Sequence, residues 1–308
     1  MKTVFIDGAA GTTGLRIHER LSQRKDITLL TLPEEDRKNP VRIREALNAS
    51  DMAFLCLPDD AAREAVGMVD NPDTVILDTS TAHRTEKGWA YGFPELSSAH
   101  REAIVRGKRI AVPGCHASGL IALVYPLIRS GILSPDTALV CFSLTGYSGG
   151  GKKMIAQYEA EGRDALLGAP RQYGLSQEHK HLREMTAVTG LTVPPAFCPV
   201  VADFYSGMEV TVPVFRKDLL GKAGPEQIRE VYSRWYRSGM VRFDDTPDEG
   251  GFLSAARYAG LDSMSVGVSG NEERVLLWAR YDNLGSRFRQ KSGCYLDAWQ
   301  FLIIRHLA

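Results

Sequence analysis

Residues 3–14 read TVFIDGAAGTTG, and this segment decides the fold of the first half of the chain. Residues 3–6 are apolar and partly β-branched, which predicts a strand that ends at Asp7. Glycines follow at positions 8, 11 and 14, then a predicted helix and a second predicted strand at residues 27–32. A strand, a glycine-rich turn, a helix and a strand in this order are typical of a dinucleotide-binding βαβ unit.

The glycines have a physical role in such a unit. They allow a tight turn, a close approach of the backbone to a pyrophosphate, and close packing of the helix on the strand. The anion is then bound at the helix N-terminus. The spacing is GxxGxxG rather than the commoner GxGxxG. We therefore expect the cofactor to bind at Gly8, Gly11, Thr12, Thr13 and Gly14.

The alternation of strands and helices continues to about residue 124. Buried strands are predicted at residues 52–57, 74–78 and 110–112, and Asp59 and Asp60 can cap a helix between the first two. This order predicts an open parallel sheet, which binds ligands outside the C-terminal ends of its strands. The polar segment 79–84, TSTAHR, follows one of those strand ends and is a candidate wall of the site.

Cys115 follows the strand at residues 110–112 and precedes an apolar run predicted to be a helix. Free N–H groups and the positive end of the helix dipole lie at that position, and they stabilise a thiolate. The alternative is a structural cysteine, because free cysteines are among the most buried residues in proteins. The expected position of Cys115 on the same rim as segment 79–84 favours catalysis.

The segment after the second strand, PEEDRK at residues 33–38, carries charges of both signs. An NAD enzyme usually places an acid here, and an NADP enzyme places cations for the 2′-phosphate. We favour Arg37 and Lys38 as the groups that face a 2′-phosphate, although a solvated charged loop is the alternative.

The pattern changes in the second half of the chain. A strand at residues 137–144 leads into TGYSGGGKK at 145–153, a glycine-rich turn at the start of a helix. The turn lacks the ending of a Walker loop, so we expect it to bind a substrate phosphate or carboxylate, with an interdomain turn as the alternative. Further strands, including a hairpin around residues 269–271, predict an α+β domain with a largely antiparallel sheet. Residues 295–307 predict an amphipathic helix that packs back on the first domain.

Composition excludes several classes of protein. The 308 residues favour two domains, and 37 basic residues balance 37 acidic ones, so nucleic acid and anionic membranes have no electrostatic support as partners. No apolar run approaches the length of about 18 residues that a membrane span needs. The start of the chain enters a strand directly and shows no signal peptide, and the five cysteines form no CxxC pair. Both observations favour a cytoplasmic protein. We expect no metal site, because His179 and His181 have no third ligand at a suitable spacing.

These motifs together resemble the N-acetyl-γ-glutamyl-phosphate reductases of arginine biosynthesis, in their shorter second type. The most specific motifs are the segment around Cys115 and the glycine-rich segment at 145–153, and the resemblance covers roughly residues 2–284. One departure is that the family usually continues KGASGAA after Asp282-Asn283-Leu284, where this chain reads GSRFRQK. The resemblance rests on DGAAGTTG (7–14), DTSTAHR (78–84), PGCHAS (113–118), TGYSGGGKK (145–153) and HKHLRE (179–184).

The resemblance implies an enzyme that reduces an acyl phosphate to an aldehyde with NADPH. It implies a Rossmann-type parallel sheet domain at residues 1–114, completed by a C-terminal helix at 285–308. It also implies an α+β catalytic and dimerisation domain at 115–284, like that of glyceraldehyde-3-phosphate dehydrogenase. Such enzymes are homo-oligomers, usually dimers or tetramers.

The resemblance also implies roles for particular residues. Cys115 aligns with the nucleophile, and the acid/base is placed on His181, with His179 second. Two rivals remain: an enzyme like aspartate-semialdehyde dehydrogenase, and a non-catalytic nucleotide-binding protein on the same fold. The predicted substrate-binding residues are Arg84, Ser148, His179 and Glu184, and Ser80 and Asn283 join the predicted cofactor site.

Overall fold

A computed structural model describes residues 1–246 and 249–283 of the chain. These residues form two compact units, of which the first is Met1–Pro113 and the second begins at Gly114. The helices predicted at 285–308 and 295–307, the atypical segment 285–291 and Cys294 lie outside the described residues.

The first unit is built on a six-stranded sheet with the order β2-β1-β3-β4-β6-β5, and every pair of neighbours is parallel. The parallel sheet predicted from the sequence is confirmed. Its strands are β1 (Lys2–Asp7), β2 (Ile27–Leu30), β3 (Met52–Leu55), β4 (Val75–Asp78), β5 (Ala90–Tyr91) and β6 (Arg109–Ala111). Its helices are α1 (Thr12–Leu21), α2 (Pro40–Ala49), α3 (Asp59–Gly67) and α4 (Ser98–Arg106).

Apolar cores lie on both faces of this sheet. Val4 and Ile6 belong to one core and Phe5 to the other, because successive side chains of a strand point to opposite faces. The strands β3 and β4 are buried along their whole length, as expected for a sheet that is covered on both sides.

Two helix starts differ from the sequence interpretation. The helix α2 was not predicted; Pro40 begins it, and the Asn39 side chain caps it by accepting a hydrogen bond from the Val41 N–H group. The expected cap of α3 by Asp59 and Asp60 is wrong, because Pro58 is the N-cap residue and both acids lie inside the first turn. The Asp59 carboxylate instead accepts hydrogen bonds from the backbone and the hydroxyl of Thr81, and tertiary contacts therefore outweigh the local cap.

The second unit is built on a seven-stranded sheet with the order β11-β12-β13-β10-β7-β9-β8. Four neighbouring pairs are antiparallel and two, β7 with β9 and β11 with β12, are parallel, so the prediction of a largely antiparallel sheet is confirmed. The strands are β7 (Val140–Gly146), β8 (Arg171–Gln172), β9 (Ala196–Ala202), β10 (Met208–Phe215), β11 (Val241–Phe243), β12 (Met264–Gly270) and β13 (Arg274–Tyr281). The helices are α5 (Cys115–Arg129), α6 (Gly151–Glu159), α7 (His181–Thr189) and α8 (Pro225–Trp235).

The helix α5 covers one face of this sheet. It packs on β10 and β13 and also contacts α7 and α8, which explains why eleven of its fifteen residues are buried. The other face carries exposed apolar side chains on β7, β10 and β13, namely Val140, Phe142, Phe215 and Leu276. In the part of the chain that the structure describes, no helix is long and apolar enough to cross a membrane.

Candidate active site

The glycine turn between β1 and α1 has the geometry of an anion cradle. Gly8 adopts a φ of +80°, and the Gly11 N–H donates to its carbonyl at 2.9 Å. A Cβ atom on Gly8 would lie 2.3 Å from the carbonyl oxygen of Cys56. On Gly14 it would lie 2.3 Å from the carbonyl oxygen of Gly8, so neither position has room for a side chain. Gly11 is the N-cap of α1 and supplies no side-chain cap.

These features fit a dinucleotide. A phosphate at the start of α1 can accept hydrogen bonds from the N–H groups of the first helical turn, which include those of Thr12 and Thr13. Arg37 and Lys38 are both exposed after β2, as a contact with a 2′-phosphate requires. The Arg37 Nε group donates to the Leu32 carbonyl at 3.4 Å in this structure.

The polar segment after β4 is held by Asp78, which is fully buried. Its carboxylate accepts hydrogen bonds from the backbone and the hydroxyl of Ser80, at 2.9 and 2.7 Å. The same carboxylate lies 2.6 Å from Nδ1 of His83, whose ring stacks on Trp89. Asp78 and His83 stand in the motif DTSTAHR, but the sequence pattern assigned them no function.

Arg84, predicted to bind substrate, bonds to the backbone of its own unit. Its Nε group donates to the Val112 carbonyl at 2.8 Å and an NH2 group donates to the Thr79 carbonyl at 3.0 Å. These bonds tie the segment after β4 to the end of β6. Arg84 therefore holds this rim of the first unit in shape.

Cys115 is the first residue of α5, and Gly114 is the N-cap. The Gly114 N–H donates to Oε1 of Glu184 at 2.7 Å, and this carboxylate is 2% exposed. Glu184, predicted to bind substrate, thus bonds to the backbone that carries the cysteine. The Ser118 hydroxyl donates to the Gly114 carbonyl at 2.9 Å and further orders the turn.

Tyr281, at the end of β13, also holds the start of α5. Its hydroxyl donates to the Cys115 carbonyl at 2.6 Å and accepts from the Gly119 N–H at 3.1 Å. These are the two backbone groups that a regular helix would pair directly. No sequence pattern singled out Tyr281, because it acts over 166 residues of chain.

Three histidine rings form a cluster that includes His116, the residue after Cys115 in α5. The ring centroid of His116 lies 5.6 Å from that of His181 and 5.9 Å from that of His179, and the latter two are 4.8 Å apart. His181 begins α7 and is buried, whereas His179 is half-buried. The His179 Nδ1 atom accepts a hydrogen bond from the His181 N–H at 3.3 Å. Burial, with the nearby charge of Lys180, lowers the pKa of His179 and so favours the neutral ring.

His116 lies at the centre of a hydrogen-bonded chain. Its Nδ1 atom is 2.6 Å from the Ser143 hydroxyl and its Nε2 atom is 2.7 Å from the Tyr173 hydroxyl. Burial, with the neighbouring His179, lowers the pKa of His116 to about 3, so the ring is neutral at physiological pH. Sequence reasoning missed Ser143 and Tyr173, since neither stands in a motif that points to Cys115.

The glycine-rich turn at residues 145–153 contains a buried serine. The Asn283 Nδ2 group donates to the Ser148 hydroxyl at 3.1 Å, and Asn283 Oδ1 accepts from the Gly207 N–H at 2.9 Å. Asn283, predicted to bind cofactor, thus holds this turn in the second unit. Within residues 1–246 and 249–283, no group of three or more His, Cys, Asp or Glu side chains is placed to hold a metal ion.

Two protein families match the chain. Residues 3–104 match the NAD binding domain of semialdehyde dehydrogenases, and residues 115–283 match the semialdehyde dehydrogenase dimerisation domain. The second match alone covers more than half of the chain.

Relatives of known name match over nearly the whole chain. An N-acetyl-gamma-glutamyl-phosphate reductase of Burkholderia lata is 43% identical over 290 residues, which are 92% of this chain and 91% of that protein. One from Chelativorans sp. is 42% identical over 293 residues, 92% and 93% of the two chains. The N-acetyl-gamma-glutamyl-phosphate reductase 2 of Pseudomonas putida is 40% identical over 288 residues, 92% and 91% of the two chains.

Solved structures share the fold at lower identity. The aspartate semialdehyde dehydrogenase II of Vibrio cholerae, complexed with ASA, is 16% identical with a TM-score of 0.70 over 99% of this chain and 98% of that one. The Candida albicans enzyme, solved with NADP, is 15% identical with a TM-score of 0.62 over 100% and 98%. These likenesses establish the fold, and the closer sequence matches establish the family. The chain therefore belongs to the semialdehyde dehydrogenase family, within its group of N-acetyl-gamma-glutamyl-phosphate reductases.

Proposed function

We propose that this protein reduces N-acetyl-γ-glutamyl phosphate to N-acetylglutamate semialdehyde with NADPH, through a thioester on Cys115. One observation carries the proposal. The cysteine begins α5, at a helix N-terminus whose backbone is bonded by Glu184, and the next residue, His116, belongs to a cluster of three histidine rings. The names of relatives at 40–43% identity support the choice of substrate.

The cofactor is held in the first unit by the glycine turn and the start of α1. Thr12, Thr13 and Gly14, in the first turn of α1, would bind the pyrophosphate through backbone N–H groups, and Gly8 and Gly11 form the tight turn that brings them close to it. Neither Gly8 nor Gly14 has room for a side chain. Arg37 and Lys38, both exposed, would bind the 2′-phosphate, and we assign Ser80 to the same cofactor site. When bound, NADPH supplies the hydride that reduces the thioester carbonyl carbon.

Acylation begins with the thiolate of Cys115. The sulfur attacks the acyl carbon, a C–S bond forms, and the carbonyl π electrons move to the oxygen. The tetrahedral intermediate then re-forms the carbonyl group, and phosphate leaves with the electron pair of the broken C–O bond. The amide dipoles at the start of α5 stabilise the attacking thiolate.

Release of the aldehyde breaks the C–S bond that acylation formed. After reduction, the tetrahedral adduct on Cys115 re-forms a carbonyl group, the C–S bond breaks, and the sulfur leaves as a thiolate. His181 is the acid/base that holds the proton exchanged with the adduct oxygen, and its place at the start of α7 puts its ring in the cluster beside Cys115.

We assign substrate binding to Ser148 and His179. The side chains of Arg84, Glu184 and Asn283 instead hold segments of the site in place through hydrogen bonds to backbone groups. Ser148 lies in the glycine turn that suits an anionic group, and the Nδ1 atom of His179 is already an acceptor, so its Nε2–H can donate. Glu184 and Asn283 position the cysteine turn and the glycine turn, respectively.

Assembly with a second copy is part of the proposal. The face of the second sheet opposite α5 exposes Val140, Phe142, Phe215 and Leu276, which are 37%, 47%, 52% and 41% exposed. Alternation along β7, β10 and β13 puts these side chains on one face, and a patch of this kind is typical of a protein interface. The proposed partner is the same face of another copy, which gives a homodimer.

The test is turnover in reverse. Purified protein is given N-acetylglutamate semialdehyde, phosphate and NADP⁺, and NADPH is followed by absorbance, with aspartate semialdehyde as the competing substrate. We expect turnover of the N-acetylated compound and its loss in Cys115→Ser, which retains NADPH binding. Preference for aspartate semialdehyde would support the rival enzyme, and cofactor binding without any turnover would support the non-catalytic alternative.

Cofactor choice is tested separately with the double variant Arg37→Leu, Lys38→Leu. Hydrogen bonds to a charged group contribute roughly 1.5–3 kcal/mol, and each 1.4 kcal/mol is about tenfold in affinity. We expect the Kd for NADPH to rise at least about tenfold. The Kd for NADH should hardly change, because NADH lacks the 2′-phosphate, and equal weakening of both would contradict the assignment.

A further inference from the structure

A chain of three side chains beside Cys115 has no role in the mechanism above. Ser143 lies on the α5 side of β7, His116 is the second residue of α5, and Tyr173 follows β8. The Ser143 hydroxyl is 2.6 Å from His116 Nδ1, and His116 Nε2 is 2.7 Å from the Tyr173 hydroxyl. Ser143 and His116 are 1% and 4% exposed, so the bond between them is shielded from water, and Tyr173 is half-buried.

The direction of the hydrogen bonds follows from the chemistry of a neutral imidazole. Burial keeps the His116 ring neutral, so one ring nitrogen carries the proton and the other is an acceptor. If Nδ1 carried the proton, the Ser143 oxygen would accept it. The hydroxyl hydrogen of Ser143 would then have no acceptor among the described residues, which is unfavourable for a buried donor.

The favoured arrangement therefore starts from Ser143. Its hydroxyl donates to Nδ1 of His116, and the Nε2–H group donates to the oxygen of Tyr173. Because the oxygen of Tyr173 accepts this bond, its own hydrogen is free to point to a further acceptor. Burial, with the adjacent charge of Cys115, raises the pKa of Tyr173, so the phenol stays protonated. Its oxygen lies 2.7 Å from Nε2 of His116, the residue that follows Cys115 in α5.

We propose that Tyr173 is a catalytic hydrogen-bond donor to the oxyanion that forms when Cys115 attacks the acyl carbon. The inference rests on the proposed function. The carbonyl π electrons move to the oxygen, and the Tyr173 hydroxyl stabilises that charge without giving up its proton. Ser143 and His116 are positioning residues that fix the direction of the donor. A preorganised donor of this kind acts on the transition state more than on the bound substrate.

The first test reads the tautomer of His116 and needs no turnover. ¹⁵N NMR of selectively labelled protein distinguishes a protonated from an unprotonated ring nitrogen. We expect His116 to be protonated at Nε2 and unprotonated at Nδ1, without titration between pH 5 and about 8. Ser143→Ala should change the Nδ1 signal. Protonation at Nδ1 in the wild type would overturn the proposal, whether or not the enzyme is active.

The second test is Tyr173→Phe, assayed by reverse turnover. We expect kcat to fall about 10²-fold, the loss typical of one oxyanion donor, with little change in KM or in the Kd of NADPH. The matched control is Tyr232→Phe, which removes another buried hydroxyl, bonded to the Leu123 carbonyl further along α5. This control should lower stability and leave kcat unchanged. Normal kcat in Tyr173→Phe would overturn the proposal.

A conservative variant of His116 distinguishes a positioning role from a purely structural one. His116→Gln retains an N–H group that can donate to Tyr173, whereas His116→Leu removes it. We expect the glutamine variant to recover much of the kcat lost in the leucine variant, with both folded by circular dichroism. Equal loss in both would contradict the positioning role. If the wild type turns over no semialdehyde, the proposed function fails, and the NMR result alone decides the direction of the donor.

Discussion

Glu184 and Tyr281 bond the backbone on either side of Cys115, although they come from α7 and from the end of β13. Each is buried. Glu184 accepts from the Gly114 N–H, a group that a helix start leaves without an intrahelical partner, whereas Tyr281 bridges the Cys115 carbonyl and the Gly119 N–H. At the scale of single residues, the position of Cys115, the proposed nucleophile, therefore depends on partners 70 and 166 positions away in the chain.

The roles of the two cluster histidines are separated by matched substitutions. His181→Asn should lower kcat by about 10²–10⁴-fold, the usual span for loss of a general acid/base. His179→Asn should cost less and should act mainly on KM, since we assign it to substrate binding. Steady-state rates for the two variants decide the matter, and the reverse ranking would exchange their roles.

Asp7, at the end of β1, gives a pH-dependent prediction. Burial raises its pKa from 3.8 to about 6, so folding favours the protonated carboxyl. The stability that the neutral form contributes is fully present below pH 3.8 and is lost as the pH rises through about 6. Asp7→Asn, which cannot ionise, should therefore be more stable than the wild type at pH 8, by up to about 3 kcal/mol.

Urea unfolding of the wild type and of Asp7→Asn at pH 4, 6 and 8 tests this prediction. The extra free energy of unfolding of the variant should become smaller towards pH 4. Asp51→Asn is the control with the opposite sign. A hydrogen bond from the Thr3 N–H lowers the pKa of Asp51, so its ionised form stabilises the fold and its loss is felt above pH 4. A gain from Asp7→Asn that did not vary with pH would exclude burial of the charge as its cause.

At the scale of elements, α1 packs closely against the glycine turn that precedes it. A Cβ on Gly14 would lie 2.3 Å from the Gly8 carbonyl oxygen and 2.8 Å from the Ala9 Cα. Both are backbone atoms, so the helix would have to move away from the turn. We expect Gly14→Ala to cost about 1–3 kcal/mol and to weaken NADPH binding.

Gly67, the last residue of α3, is the matched control. A Cβ there meets nothing within 4 Å, and alanine restricts the unfolded chain more than glycine does. Gly67→Ala should be neutral or stabilising by about 0.5 kcal/mol, with unchanged cofactor affinity. Thermal unfolding and fluorescence titration of both variants provide the measurement, and similar behaviour of the two would contradict the close-packing argument.

At the scale of the whole molecule, the sheet face opposite α5 exposes apolar side chains, and we propose that it is the dimer interface. Phe142→Glu places a charge in the middle of the proposed dimer interface and should shift the protein towards monomer, because an unpaired buried charge is costly. Val41→Glu, at a 63% exposed apolar position on α2, should not change the assembly. Sedimentation velocity distinguishes the two, and dissociation of both or of neither would refute the assignment of this face.

Much of the first unit could be predicted from the sequence, because the residues that define its turns and strands are neighbours in the chain. Glycines at 8, 11 and 14 stand next to the strand and helix that they join, and buried parallel strands are continuous apolar runs. The helix α2 was missed because Pro40 begins it and its burial is slight, so its apolar periodicity is weak. In the second unit, the hairpin of β12 and β13 was predicted for the same reason of proximity.

The sequence by itself determined the class of each half of the chain, the cysteine at a helix start and the family that its motifs resemble. The tertiary structure decided which side chains meet around that cysteine. Glu184 and Asn283 stand in or beside recognised motifs, yet each bonds to distant backbone, and Tyr173 and Ser143 stand in none. The physical reason is that periodicity and turn chemistry report contacts over a few residues. The partner of a buried polar group is instead set by whichever strand or helix the fold brings within 3 Å of it.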